Sequence, residues 1–306
     1  MALTLAETEA NVFGDRTAPF RRPLLVHAYR MLGSIDDAED AVQETLVRAW
    51  RSRATFTETV SFRAWLYRIA SNVCLDAIER RKRALGSAGR YEVQPVPEDL
   101  LEDAAAGPEA RYDARESVSL AFLTALQVLS PRQRGVLILR DVLGWRAAEV
   151  AELLGLSLPA ANSALHRARR ALARSYAPAG QVPAVEPGRL RSLLDRYVRA
   201  WESADVAGLV KLLREDAIVS MPPGLTIVGV EAIAAFLASS VFAGGRRVRL
   251  ERVRANGVPA FVIRSGADEA NLEPYAVLAL HIDAGERVTR MGVFAEPRLV
   301  SRFVGL

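Results

Sequence analysis

The sequence has little of several features, and each shortage excludes a class of protein. A single cysteine, Cys74, excludes an intrachain disulfide and a thiolate metal cluster, so a reducing cytoplasm is the simple prediction. No apolar run is long enough to span a bilayer, and the first residues carry acids without a basic-then-apolar signal. No P-loop, paired cysteine or HExxH motif occurs, so we expect no metal and no cofactor. The sequence therefore predicts a cytoplasmic protein with no membrane partner.

The basic charge is almost entirely arginine, because Lys82 and Lys211 are the only lysines. The net charge of +4 permits an anionic partner without proving one. Arginine suits bidentate contacts to phosphates and bases. A GC-rich genome produces the same bias, however, and on composition alone this explanation ranks ahead of nucleic-acid binding.

Two breaks divide the 306-residue chain, which is long enough for two or three domains. An acidic stretch with prolines and glycines, 87–112, predicts a flexible linker, and a proline-rich break lies at 177–187. Apolar residues at helical spacing predict all-α domains over 10–86, a helical bundle, and over 113–176. Helical patterns followed by alternating strand-like runs predict an α+β domain over 188–306, with a curved antiparallel sheet.

A helix-turn-helix is predicted where Gly155-Leu156-Ser157 joins a short helix to a longer one over 158–173. One face of the second helix is apolar and is predicted to dock on the first helix. The other face can enter a major groove, where Asn162 reads adenine and Arg167 reads guanine or holds phosphate. An amphipathic bundle helix with a solvated basic face is the alternative, but the glycine turn and serine cap favour DNA binding. The apolar face consists of Leu158, Ala161, Leu165, Ala168 and Leu172.

A helix over about 36–52 carries a run of acidic residues. The helix dipole accounts for acids in the first turn, such as Asp37. It accounts less well for Asp40 and Glu44, which lie deeper in the helix. An acidic face of this kind can dock a basic partner surface.

The next helix, over about 61–83, interleaves aromatic and basic residues and ends in the basic run 80–83. Stacking rings and cations together suit single-stranded nucleic acid. The alternative is that Phe62 and Trp65 belong to the core while the arginines face solvent. Taken alone, this helix favours the alternative.

Three stretches together resemble the extracytoplasmic-function (ECF) group of the sigma-70 family of bacterial RNA polymerase sigma factors. They are DDAEDAVQETLVRAW, FRAWLYRIASNVCLDAIERRKR and LSPRQRGVLILRDVLGWRAAEVAELLGLSLPAANSALHRARRAL. The resemblance covers roughly 10–176 and implies sigma region 2 over 10–86 and sigma region 4 over 113–176. It implies an alternative sigma factor that recruits core polymerase to promoters, recognises the −35 and −10 elements and initiates transcription.

The resemblance also assigns partners and site residues. The implied partners are promoter DNA and core RNA polymerase, through its β′ clamp helices and its β flap. Residues implied to bind the polymerase are Asp37, Asp40, Gln43 and Glu44. Residues implied to act at the −10 element are Arg63, Trp65, Arg68, Asn72, Arg80, Arg81, Lys82 and Arg83. Residues implied to act at the −35 element are Asn162, Ser163, His166, Arg167 and Arg170.

The recognition helix departs from the family pattern. Common members carry GTV-(Arg/Lys)-SR, whereas this chain has Pro-Ala-Ala-Asn-Ser-Ala over 159–164. One basic residue is replaced by Asn and another by Ala. This departure leaves polymerase binding untouched and puts the usual −35 preference in doubt.

The last domain resembles the SnoaL-like, cystatin-like cone fold, which occurs fused to a subset of these sigma factors. The matching pieces are RSLLDRYVRAWESADVAGLVKLLREDAIVSMPP and GVEAIAAFL. Some relatives of this fold are enzymes, but fold does not carry function. Asp216 and His281 make no convergent acid–base pair, so we predict no catalytic residues and no enzyme. A regulatory role is expected, in place of or alongside an anti-sigma factor, with a small-molecule ligand or an anti-sigma protein as partner of this domain.

Two other functions remain open from the sequence. A ligand-responsive helix-turn-helix regulator would bind duplex DNA alone and would not need the acidic helix. An enzyme fused to a DNA-binding module would need a polar constellation inside the cone. Substitution of Asp40 and Glu44 discriminates between these functions, because only a sigma factor would lose polymerase binding.

Overall fold

The structure, a computed structural model, describes residues 5–57, 61–85, 92–101, 117–176, 185–245 and 247–305. The chain divides into two compact units. The first combines Met1–Val93 with Ala121–Tyr176, and the second combines Gln94–Leu120 with Ala177–Leu306. The two helical regions, predicted as separate domains, thus pack into one unit. Most of the predicted linkers, namely 87–91, 102–112 and 177–184, lies outside the described residues.

The first unit is helical, as predicted. A π-helical turn, Ile138–Val142, extends the helix that begins at Pro131. The first helix was not predicted. The helices are α1 (Leu5–Thr17), α2 (Arg21–Leu32), α3 (Ile35–Arg51), α4 (Phe62–Leu85), α5 (Leu120–Leu126), α6 (Pro131–Leu137), α7 (Ala147–Leu153) and α8 (Leu158–Ser175).

Local signals in the sequence fix the ends of these helices. Gly33 adopts a left-handed conformation, with φ 72°, and ends α2. Ser34 then caps α3 by accepting a hydrogen bond from the Asp37 backbone N–H. Ser130 and Gln133 form a reciprocal capping box at the start of α6. Each of these boundaries depends on a local interaction between residues that are close together in the sequence.

The second unit contains one six-stranded sheet. Its order is β2-β1-β6-β5-β4-β3, and β1 and β6 run parallel while the other pairs are antiparallel. The α+β fold class is confirmed. The strands are β1 (Leu213–Met221), β2 (Leu225–Val228), β3 (Arg247–Ala255), β4 (Val258–Gly266), β5 (Glu273–Ile282) and β6 (Val288–Phe294). The helices are α9 (Pro187–Glu202), α10 (Val206–Val210), α11 (Val230–Phe236) and α12 (Pro297–Val304).

The first two strands were missed by the sequence analysis, which also expected a wholly antiparallel sheet. The reason is visible in β1, where three exposed residues, 214–216, interrupt the alternation of buried and exposed side chains. Asp216 therefore lies within a strand. Helix α10 ends at Val210, and the chain enters β1 at Leu213.

Part of the predicted flexible linker differs from expectation. Residues 92–96 have no regular secondary structure, Pro97 forms an isolated antiparallel β-bridge with Ala255, and a 3₁₀ turn, Glu98–Leu100, follows. Val93 and Val96 are buried. This stretch is held by hydrogen bonds to the turn between β3 and β4, which are described below.

Candidate polymerase and nucleic-acid interfaces

The predicted polymerase-binding residues lie on α3 in two different environments. Asp40 and Gln43 are exposed. Asp37 accepts a hydrogen bond of 3.0 Å from Arg81, and Glu44 lies 2.7 Å from the Nε atom of Arg48. Asp40 and Gln43 are therefore the more accessible pair, whereas the other two carboxylates already have partners within the bundle.

The −10 candidate Trp65 lies in an aromatic cluster. Its ring centroid is 5.1 Å from that of Phe56 and 5.5 Å from that of Phe62. The Arg16 guanidinium lies over the Phe62 ring, 4.1 Å from its centroid. The cluster, defined here as Arg16, Phe56, Phe62 and Trp65, joins residues distant in sequence. Sequence reasoning therefore missed the contribution of Arg16 and Phe56.

The arginines and the amide at the start and middle of α4 are exposed. Arg68 and Asn72 project into solvent. Arg63 is also exposed, but its guanidinium lies 5.0 Å from the Trp145 ring centroid and 5.5 Å from that of Tyr67. Since Trp145 precedes α7, this contact joins the −10 helix to the region that contains the helix-turn-helix.

The basic run at the end of α4 divides into one engaged and three exposed residues. Arg80, Lys82 and Arg83 are exposed. Arg81 keeps only 21% of its side chain accessible and donates to both Asp37 and the Leu32 carbonyl, the latter at 3.1 Å. In this arrangement Arg81 caps the last carbonyl of α2, which has no partner within its own helix. Arg81 therefore already donates to two protein groups, and its implied contact with the DNA backbone stays a prediction.

A second arginine, Arg134, links the two helical regions through hydrogen bonds to main-chain carbonyls. It is 4% exposed, and it donates to the Met31 carbonyl at 2.5 Å and to the Leu126 carbonyl at 3.1 Å. These carbonyls belong to the last turns of α2 and α5. Burial lowers the pKa of Arg134 to about 10, which leaves it protonated at neutral pH. Sequence reasoning missed this residue, because nothing local distinguishes it from exposed arginines.

A buried histidine lies between α2 and α4. His27 Nε2 is 3.0 Å from Ser71 Oγ, and its ring contacts Tyr67 at 5.1 Å between centroids. Burial, reinforced by the charge of Arg30, lowers the pKa of His27 to about 3. His27 is therefore neutral in the folded chain at any physiological pH.

The helix-turn-helix matches the prediction in its framework. Ser157 accepts a hydrogen bond from the Ala160 backbone N–H and begins α8, and Ala161, Leu165 and Ala168 are buried. Leu158 is an exception, because 46% of it is exposed. The helix begins at this residue, ahead of the part that packs on α7. The −35 candidates Asn162, Ser163, His166, Arg167 and Arg170 are all exposed.

One further arginine on the basic face of α8, Arg169, forms an ion pair within the protein. Arg169 donates to both carboxylate oxygens of Asp141, at 2.9 and 2.7 Å. Such a bidentate pair fixes the guanidinium in place. Arg169 keeps 59% of its side chain exposed in this pair, and Arg167 and Arg170 are further exposed arginines near Asn162.

In the second unit, Asn256 binds both ends of the segment that joins the helical regions. Its Oδ1 accepts from the Val96 backbone N–H, and its Nδ2 donates to the Val118 carbonyl, each at 2.6 Å. Its own carbonyl accepts from Leu120 N–H at 3.2 Å. Asn256 is 2% exposed and has φ 48°, a conformation that asparagine tolerates better than most residues. An Asn-Gly pair is typical of a turn, but no local pattern indicates these partners.

The interior of the cone is filled mainly by apolar side chains. Tyr197 is buried there and its hydroxyl lies 3.1 Å from Met291 Sδ, while burial raises the pKa of Tyr197 above its usual range. His281 follows the inward-facing Leu280 on β5 and so points to the other face of the sheet. Asp216 is exposed and paired with Arg214, which lowers its pKa. The two acid–base candidates therefore lie apart from the interior.

Three family models match the chain. They are Sigma-70 region 2 over residues 18–84, Sigma-70 region 4 over 119–172 and the SnoaL-like domain over 194–291. These matches define the class of protein, a sigma-type transcription factor with a fused cone domain.

The relatives are more specific. The chain is 40% identical to the ECF RNA polymerase sigma factor SigG of Mycobacterium tuberculosis, over 97% of this chain and 85% of that protein. It is 34% identical to SigJ of the same organism, over 64% of this chain and 60% of that protein. The chain belongs to the ECF sigma factors. The crystal structure of SigJ has the same fold, with a TM-score of 0.61 at 24% identity, over 94% of this chain and 98% of that one.

None of the helices in the described ranges combines the length and apolar content that crossing a bilayer requires. No group of three or more His, Cys, Asp or Glu side chains in those ranges is placed to hold a metal ion.

Proposed function

We propose that the chain is an alternative sigma factor that recruits core RNA polymerase to specific promoters and opens DNA there. The observation that carries this proposal is the coexistence of two exposed faces in one helical unit of an ECF sigma factor. The acidic face of α3 presents Asp40 and Gln43, and the basic face of α8 presents Asn162 and its neighbours. The first suits a basic surface on the polymerase, and the second suits the −35 element.

The −10 function belongs to α4 and the cluster around Trp65. Exposed Arg68, Asn72 and the three exposed basic residues of the run 80–83 can hold a single strand. Unpairing of the captured bases costs a few kcal/mol, which binding of the open strand offsets. We propose no catalytic chemistry for this chain.

In the packed arrangement of the helical unit, α4 and α8 lie too close together to bind the −10 and −35 elements of one promoter at the same time. Elements centred at −35 and −10 are 25 base pairs apart, which corresponds to about 85 Å at ~3.4 Å per base pair. Helix α4 spans only about 36 Å at ~1.5 Å per residue. The contacts that join the two regions, Arg63 with Trp145 and Arg134 with the Met31 carbonyl, must therefore break before α4 and α8 occupy both elements.

The cone domain is proposed to regulate this opening through Asn256. One side chain holds Val96 and Val118, so the segment between the two regions is tied at both ends. A free segment of the same length would allow the two regions to separate widely, since an extended chain spans up to about 3.3 Å per residue. We propose that the tie favours the closed arrangement and lowers transcription.

Promoter-dependent transcription with core polymerase and the full chain tests both parts. Asp40→Lys should abolish polymerase binding, and Glu231→Lys, an exposed acid of the cone domain, is the matched control. Asn256→Ala should raise transcription several-fold without changing polymerase affinity. Binding to duplex DNA alone, with no response to polymerase, would instead favour the ligand-responsive regulator. Lower transcription by Asn256→Ala would make the cone a positive element.

A further inference from the structure

The exposed tip of the recognition helix carries an apolar side chain. Leu158 is 46% exposed, and Pro159 and Ala160 beside it are also exposed. A lone exposed leucine is common on protein surfaces and needs no explanation. Leu158, however, is the first residue of the second helix of the helix-turn-helix, where a side chain can reach DNA.

Leu158 continues the face that carries the DNA-contact candidates. Residues four apart lie above one another on a helix, so Leu158, Asn162 and His166 share one exposed stripe. Arg170 extends this stripe by one turn, and Arg167 lies beside it. In a helix-turn-helix the first residues of the second helix meet base edges in the major groove. The apolar tip therefore occupies a base-reading position, and the two guanidiniums suit the phosphates of the same duplex.

The polar side chain that precedes the tip is already engaged. The Ser157 hydroxyl caps α8 through the Ala160 N–H, and three turns further along the helix Asp141 binds Arg169. Among the described residues of this stripe, the first turn thus offers aliphatic surface, and Asn162 in the second turn offers a carboxamide.

The major groove presents one apolar group, the C5 methyl of thymine, and a carboxamide pairs best with adenine. We infer that Leu158 reads a thymine methyl in the −35 element and that Asn162 reads an adenine beside it. This inference rests on the proposed function, because it requires promoter DNA in front of α8. It explains how a helix without the usual basic residues at 162 and 164 selects its site.

The test removes a single methyl group from the DNA. A promoter is first selected by wild-type holoenzyme from a pool randomised over the −35 element. Each thymine of that element, on either strand, is then replaced by deoxyuridine, and holoenzyme affinity is measured by competition. Loss of one buried methyl should weaken binding about fourfold at one position, since burying one CH₂ group contributes ~0.8 kcal/mol.

Two variants assign that effect. Leu158→Ala holoenzyme should bind the thymine and deoxyuridine promoters equally at that position. Arg170→Ala should weaken binding to both promoters alike and keep the fourfold difference, as expected for a phosphate contact. Since both side chains are exposed, neither change should unfold the protein, and circular dichroism checks this.

Several results would overturn the inference. They are a selected element without thymine, indifference of the wild type to every deoxyuridine, or the same deoxyuridine effect in Leu158→Ala. Each of these leaves the proposed function intact, because the holoenzyme still binds and transcribes. Failure of the wild-type chain to support any promoter-dependent transcription would instead reject the proposed function itself.

Discussion

Helices α4 and α8 both carry basic residues predicted to contact DNA, but the structure uses them differently. On α8, Arg169 lies next to the residues predicted to contact DNA and forms an ion pair with Asp141. On α4, Arg81 is held by α2 and α3, and Arg63 lies against Trp145. A basic residue next to a predicted DNA-binding face can therefore serve to hold the helices of the protein together. Buried and exposed residues of one type therefore provide matched pairs for experiment.

The largest effect is expected for Arg134, which has the exposed Arg132 as its matched control. Arg134→Met leaves two carbonyls, those of Met31 and Leu126, without their donor in a buried site. The free energy of unfolding should fall by about 2–4 kcal/mol, because each unsatisfied buried group costs ~1–3 kcal/mol. Arg132→Met should change it by less than about 0.5 kcal/mol. Urea unfolding of both variants checks this, and equal stabilities would contradict the assignment.

The next effect depends on pH and compares His27 with His166. The pKa of His27 is about 3 in the folded chain against an ordinary value of 6.5, so only the unfolded chain gains this proton as the pH falls below 6.5. Stability from this group is therefore full above pH 6.5 and is lost progressively from there toward pH 3. At pH 5 the loss is about 2 kcal/mol, from ~1.36 kcal/mol per pH unit.

The histidine comparison uses unfolding at pH 7 and pH 5. His27→Gln should lose this component of the pH dependence, and His166→Gln, an exposed control, should keep it. The quantity that decides is the change between the two pH values, since His27→Gln also alters packing. An unchanged difference in His27→Gln would show that the ring is protonated in the folded chain.

A smaller effect is expected for Arg81. Arg81→Gln removes the donor to the Leu32 carbonyl and to Asp37, and should lower stability by about 1 kcal/mol. The ion pair adds little, because Asp37 is half exposed. Thermal unfolding measures the loss. Promoter binding should keep its salt dependence, whereas a reduced salt slope would return Arg81 to the set of phosphate contacts.

The smallest effect on stability is expected for the three exposed residues of the same run. Replacement of Arg80, Lys82 and Arg83 by glutamine should leave unfolding nearly unchanged. It should reduce the slope of log affinity against log salt by about 2, from ~0.7 per contact to single-stranded DNA. Holoenzyme binding to a promoter with a premelted −10 element measures the slope. A slope equal to that of the wild type would remove these residues from the interface.

The sequence predicts the parts of this molecule that depend on local chemistry. The caps at Ser34, Ser130 and Ser157 and the stop at Gly33 follow from neighbouring residues. The candidate faces on α3 and α8 follow from helical spacing in the same way.

The parts that depend on distant partners could not be predicted. Arg81 and Arg80 are adjacent and chemically identical, and only the position of the α2 C-terminus makes one of them a cap. Strand β1 was missed because three consecutive exposed residues hide its alternation. Asn256 is typical of a turn, but the residues that it binds lie far away along the chain, so no local pattern indicates them.

The tie at Asn256 has a consequence for how this chain can vary. Because Val96 and Val118 are bound to one side chain, residues 97–117 close a loop whose ends are fixed. The entropy of closing a flexible loop rises slowly with its length, by only about 0.6 kcal/mol for each doubling. A change in the number of residues between the two bound ends should therefore alter the cost of closing the loop only slightly. The number of residues between the two regions then has little effect on how close the ends of the segment lie. Asn256 fixes that distance, which a linker of defined length would otherwise set.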